Sequence, residues 1–166
     1  RFWAPFLISS ELPAPDCDPV RVHLMGEDLI AFKDTEGRIG LIDQFCSHRG
    51  VSLWFGRNEE CGLRCPYHGW KFNKAGKCLT MPAENKQKPQ LLARADTQAY
   101  LAEELGGLVF AYLGPMPAPL LPRYDLFVID NVLRDIGYAI IPCNWLQIME
   151  NSVDPTHVEW LHGHHL

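Results

Sequence analysis

At 166 residues, with 47% hydrophobic side chains, five Trp and eight Phe, the chain holds enough apolar material for about one packed domain and the start of another, and too much for a disordered tail. Its 20 acidic and 15 basic side chains leave a net charge of −5 without any Lys/Arg run, which excludes the basic footprint of a nucleic-acid binder. The longest apolar run, residues 105–113, is broken by Gly106 and Gly107 and falls short of the ~20 residues that span a bilayer, so no membrane partner is expected.

The chain opens on Arg1 rather than Met and stops at Leu166 with no closing signal, which reads as a piece of a longer polypeptide. Residues 20–113 predict short strands separated by turns. Residues 20–24 alternate with period two. Residues 29–32 and 39–42 read as a hairpin closed by Lys33-Asp34-Thr35-Glu36-Gly37, with glycine available for positive φ. A second hairpin is expected to turn at Asn73-Lys74-Ala75-Gly76.

Between these hairpins lie Cys46-Ser47-His48 and Cys65-Pro66-Tyr67-His68, so that each of two loops offers one thiol and one imidazole. A finger-type zinc site takes its cysteines from one loop and its histidines from another. Mixed pairs instead suit a Rieske [2Fe-2S] cluster, with Cys46 and Cys65 on one iron and His48 and His68 on the other. Neutral imidazoles in place of two thiolates raise such a cluster to roughly −150 to +300 mV. Gly50 and Gly69 stand where each loop must bend closely. A zinc-stabilised interaction module remains the alternative. The other cysteines, Cys17, Cys61, Cys78 and Cys143, have no disulfide-scaffold spacing and read as reduced thiols of a cytoplasmic protein.

Pro115, Pro117, Pro119 and Pro122 crowd a segment that can continue neither sheet nor helix. It marks an expected boundary between a domain at 1–118 and the start of a second at 119–166. Within the latter, residues 136–141 read as a strand ended by Pro142, and residues from Asn144 onward read as helical. His157 and His162 are five apart, about 140° on a regular helix. Reaching one ion would need a local distortion such as a π-bulge. Asp154 and Pro155 alternatively read as an N-cap and first helical residue, which would occupy the carboxylate in capping. His164 and His165 could add a further donor.

Together these segments resemble the Rieske non-haem iron oxygenases. The cluster signature runs through Cys46, His48, Arg49, Gly50, Cys65, His68, Gly69 and Trp70, and Glu150-Asn151-x-x-Asp154-x-x-His157-x-x-x-x-His162 is similar to the family's mononuclear-iron motif. Residues 52–60 and 144–161 look like the phthalate dioxygenase branch. The resemblance implies a mainly β fold, in which a Rieske-type antiparallel β-sandwich precedes the start of an α+β helix-grip catalytic domain. It further implies Fe(II) on His157 and His162, completed by a carboxylate beyond Leu166, and Asp154 as the catalytic bridge from a neighbouring subunit's cluster histidine.

The implied partners are a flavin and iron-sulfur reductase, O2 and an aromatic substrate to be hydroxylated or demethylated, in a homotrimer or stacked trimers. In the respiratory Rieske type an extra cysteine in each loop closes a disulfide, whereas Val51 and Tyr67 stand near those places here. A stand-alone Rieske ferredoxin is the competing reading. It leaves residues 150–162 without a use.

Overall fold

The computed structural model describes residues 2–84 and 89–163; the expectation for His164 and His165 lies outside them. Contacts divide the chain into two compact units, Arg1–Arg134 and Asp135–Leu166.

Ten strands build the first unit: β1 (Trp3–Ile8), β2 (Val20–Leu24), β3 (Glu27–Lys33), β4 (Ile39–Asp43), β5 (Arg57–Glu59), β6 (Gly62–Arg64), β7 (Lys71–Phe72), β8 (Cys78–Thr80), β9 (Ala99–Leu105) and β10 (Leu108–Tyr112). Six form an antiparallel sheet in the order β1-β10-β9-β4-β3-β2, and four form a second in the order β5-β6-β7-β8. This is the expected Rieske-type sandwich, and the second sheet carries one of the two ligand loops.

The register follows from side-chain alternation. In β3, Ile30 and Phe32 join one buried cluster with Ile42, Leu63 and Phe72. Leu29 and Ala31 point the other way, into a cluster with Leu41, Val109 and Ala111. A strand buried on both faces carries a continuous apolar run, and a one-residue slip would exchange its two faces.

Turn chemistry closes the hairpins. Asp34, fully buried, accepts from the Glu36 and Arg38 amides through Oδ1 and from the Arg38 guanidinium through Oδ2 at 2.8 Å. Asn73 Oδ1 likewise accepts from the Ala75 and Lys77 amides at 3.0 Å. Two tight turns gave no sequence signal: Met25-Gly26 and Glu60-Cys61 take positive φ at both central positions, the geometry that matches strand twist. Strand β1 and helix α1 (Pro89–Arg94) were also not anticipated.

All six cysteines are free. The proline-rich segment forms no regular element, and the Trp3 indole donates to Pro119 O at 2.8 Å. A short helix α2 (Asp125–Val128) follows it. No helix among the described residues is long and apolar enough to cross a membrane.

The second unit contains α3 (Trp145–Ser152) and α4 (Pro155–His157), the latter running directly into a π-helical turn (Val158–His162). One expectation is corrected here. Residues 136–141 form no strand, because a strand exists only as one side of a ladder and no described strand pairs with this segment. Its Tyr138 and Ile140 are exposed.

Candidate iron-sulfur and iron sites

The two ligand loops share one backbone design. In the first, the Cys46 amide donates to Val51 O at 2.9 Å and the Gly50 amide returns to Cys46 O at 2.9 Å. In the second, the Cys65 amide donates to Trp70 O at 2.8 Å and the Gly69 amide returns to Cys65 O at 3.1 Å. Each loop therefore bonds cysteine i to the residue at i+5 and glycine i+4 to the cysteine carbonyl. Gly50 and Gly69 take φ of +68° and +72°, a conformation that costs an L-residue roughly 1–2 kcal/mol. The unequal spacings Cys-x-His and Cys-x-x-His are thus one loop with its imidazole at two different positions.

Both cysteines are buried, each 3% exposed, in the core cluster with Leu63, Phe72 and Met81. Burial pushes the Cys46 thiol up to about 11, opposed by donation from the His48 and Arg49 amides and reinforced by the adjoining Cys65. Thiolate ligation therefore requires a metal to displace the proton. The histidines lie nearer the surface, half-buried, with ring centroids 4.6 Å apart at 67°. Burial, followed by the like charges of His68 and Arg49, holds His48 below its ordinary value, in the neutral form that ligates metal.

These side chains fit a two-iron cluster on a structural test. His68 Nδ1 is buried without a hydrogen-bond partner, an arrangement costing about 1–3 kcal/mol unless some group takes the lone nitrogen. The donors form a buried thiol pair and a half-buried imidazole pair. That division suits two irons better than one tetrahedral zinc.

Loop anchoring was not legible in advance. Ser47 Oγ donates to Ala95 O at 2.6 Å, holding the first loop to the segment after α1. The Arg64 guanidinium donates to Gly69 O at 3.1 Å, holding the second. Arg64 also pairs with Glu59, and Lys71, only 6% exposed, pairs with Glu60 at 2.9 Å. Arg64 and Ser47 each stand beside a ligand cysteine; Arg64 finds Glu59 and Gly69 within five residues, whereas Ser47 finds Ala95 48 residues away, a partner only the fold names.

In the second unit the expected N-cap and the expected π-type distortion occur together. Asp154 caps α4, its Oδ1 accepting from the Thr156 amide at 2.9 Å and the His157 amide at 3.4 Å, with Pro155 as the first helical residue. Beyond it the Gly163 amide reaches back to Val158 O at 3.0 Å, five residues away. This wider turn brings the His157 and His162 rings to 5.5 Å. Asp154 Oδ2 lies 3.7 Å from His157 Nδ1, which is itself buried and unpartnered. The two imidazoles stand side by side with the Asp154 carboxylate near one of them, and among the described residues no three His, Cys, Asp or Glu side chains close on one ion.

Comparison with known proteins agrees with this geometry. The Rieske [2Fe-2S] domain model matches residues 2–101. The chain is 44% identical over 165 residues to the 5,5'-dehydrodivanillate O-demethylase oxygenase subunit of Sphingobium sp. (strain NBRC 103272 / SYK-6), covering 98% of this chain and 38% of that protein. It is 43% identical over 166 residues to the phthalate 4,5-dioxygenase oxygenase subunit of Pseudomonas putida, covering 98% and 37%. The chain thus spans less than two fifths of the length of these relatives. Among solved structures, Pseudomonas putida CBB5 NdmA superposes with a TM-score of 0.76 at 24% identity, over 99% of this chain and 51% of that one, a likeness of fold. With a buried thiol pair, an outer imidazole pair and a family match across the β-sandwich, the chain belongs to the Rieske [2Fe-2S] domain family.

Proposed function

We propose that this chain is the electron-receiving and first iron-binding portion of the terminal oxygenase component of a Rieske non-haem iron oxygenase. Residues 1–118 would form the Rieske domain, and 119–166 would begin a helix-grip catalytic domain. When bound, the cluster accepts single electrons and the mononuclear Fe(II) activates O2 to hydroxylate or demethylate an aromatic substrate. Cys46 and Cys65 would hold one cluster iron, His48 and His68 the other, and His157 and His162 would hold Fe(II). The core around the cysteines excludes water, which with cluster charge and hydrogen bonding sets the potential.

One observation carries the reading. Two copies of the same loop bring two thiols into one core cluster and two imidazoles together nearer the surface, and a third pair, His157 and His162, stands on a π-turn for which a simple electron carrier has no use. The relatives that support it are oxygenase subunits of a demethylase and a dioxygenase matched across nearly the whole chain. Asp154 is the carboxylate that would receive a cluster histidine of a neighbouring subunit, since Oδ1 alone is engaged in capping. A flavin and iron-sulfur reductase would supply electrons, and a homotrimer or stacked trimers in the cytoplasm would provide the neighbouring cluster.

The test is iron and acid-labile sulfide per chain on anaerobically prepared protein, with EPR after dithionite reduction. Two irons, two sulfides and a Rieske signal are expected, with a further iron that disappears in His157→Ala. Zinc without sulfide would overturn the redox reading. Iron content indifferent to His157 would leave a ferredoxin.

A further inference from the structure

The first ligand loop does not hold its own histidine. Among the described residues no protein hydrogen bond reaches the His48 imidazole; its ring neighbours are His68, with centroids 4.6 Å apart, and Trp70, at 4.5 Å. The Trp70 indole lies parallel to the imidazole, with 10° between the planes. Trp70 belongs to the other loop, where its carbonyl accepts the Cys65 amide and so closes that loop. Its indole is half-buried against the core cluster that contains both cysteines.

We infer that Trp70 is a positioning residue that clamps His48 across the two loops, fixing the outer ligand's ring plane before any cluster is present. The inference rests on the cluster reading above and goes further, to what orients one particular ligand. An imidazole turning about two side-chain bonds offers its nitrogen in many directions, and a ring stacked at 10° removes most of them. An ordinary metal-binding histidine is oriented by a hydrogen bond to its second nitrogen. Here a flat indole does that work from the opposite loop. The two loops are consequently coupled, since movement of Trp70 would loosen the loop closure at Cys65 and the ring at His48 together. His68 has no such clamp. Its aromatic neighbour, Tyr67 at 3.9 Å, is the preceding residue in the same loop and moves with it.

The experiment compares wild type, Trp70→Phe and Trp70→Leu in the protein as prepared with its cluster. Three quantities are read: the rate of cluster loss to a chelator, the EPR g values after reduction, and the reduction potential. The expectation for Trp70→Leu is loss roughly tenfold faster or more, within the range for removal of a group that orients a metal ligand, with shifted g values and potential. Trp70→Phe, which retains a flat ring, should restore most of the lifetime and the wild-type g values. Wild-type lifetime and g values in Trp70→Leu would overturn the clamp. So would equal damage in Trp70→Phe with altered far-ultraviolet circular dichroism of the cluster-free chain, since Trp70 would then serve the core alone. A wild type that binds no cluster would instead sink the function proposed above, a failure visible before either variant is measured.

Discussion

Asp154 holds His157 from two sides: Oδ1 accepts the His157 backbone amide at 3.4 Å while Oδ2 lies 3.7 Å from the Nδ1 of the same residue's ring. One carboxylate thus starts the helix and faces the imidazole. The two roles separate by substitution, because Asn caps a helix about as well as Asp while Ala does not. Asp154→Ala should lower the unfolding free energy of the complete protein by about 1 kcal/mol, and Asp154→Asn by much less. Both should keep their iron and lose turnover by roughly 10- to 100-fold. Thermal unfolding, metal analysis and product formation read the three effects, and iron loss in Asp154→Asn would contradict a bridging role.

Removing either outer ligand tests the assignment of the cluster. His48→Ala or His68→Ala should bring iron and sulfide from the expected two per chain to background, as measured by metal and sulfide analysis, because among the described residues no third His, Cys, Asp or Glu side chain joins the pair to replace a lost ligand. Retention of one tightly held zinc in either variant would point to a structural ion.

The twin glycines give an internal comparison. Gly50 and Gly69 share a positive φ, but a Cβ on Gly50 would meet nothing within 4 Å, whereas one on Gly69 would lie 3.0 Å from Pro82 Cγ. Alanine at either position carries the left-handed cost of roughly 1–2 kcal/mol. Gly69→Ala should be the more destabilising of the two in urea unfolding, since Pro82 must also shift. Equal losses would show that the contact is absorbed freely.

Acid should loosen the ligand-loop sheet. Hydrogen bonds from Arg64 and Arg57 hold the Glu59 carboxyl below its ordinary 4.5, and Lys71 does the same for Glu60. The unfolded chain then binds more protons in the window below 4.5, so stability is present above that pH and is lost as pH falls through the folded-state values. His48 adds a second window. Its depressed value means that the unfolded state takes up the proton first below 6.5, so the cluster-free chain gains stability as pH rises towards 6.5. Urea midpoints of the cluster-free protein against pH should show both slopes, and Lys71→Met should flatten the lower one. An unchanged lower slope in Lys71→Met would mean that Glu60 does not carry it.

Much of the site was readable because its chemistry is local. Cys46, His48, Cys65 and His68 announce themselves by residue type and short spacing, and Gly50 and Gly69 by a bend that few other residues tolerate. The 154–162 segment was readable in outline, since capping and the i, i+5 distortion are both properties of one stretch of backbone. The expected strand at 136–141 failed for the opposite reason. Alternating apolar residues suit a ladder but cannot supply its other side.

Sequence alone therefore determined the candidate metal-binding residues, how each ligand loop bends and where the helix after Asp154 begins, because hydrogen bonds within a few residues decide those matters. Tertiary structure decided what those residues meet. That Cys46 and Cys65 share one core, that Ser47 reaches Ala95, and that Trp70 of one loop stacks on His48 of the other depend on pairing strands far apart in the chain. Such pairings are settled by the simultaneous burial of many side chains, a property of the packed sheets that no short window of sequence contains.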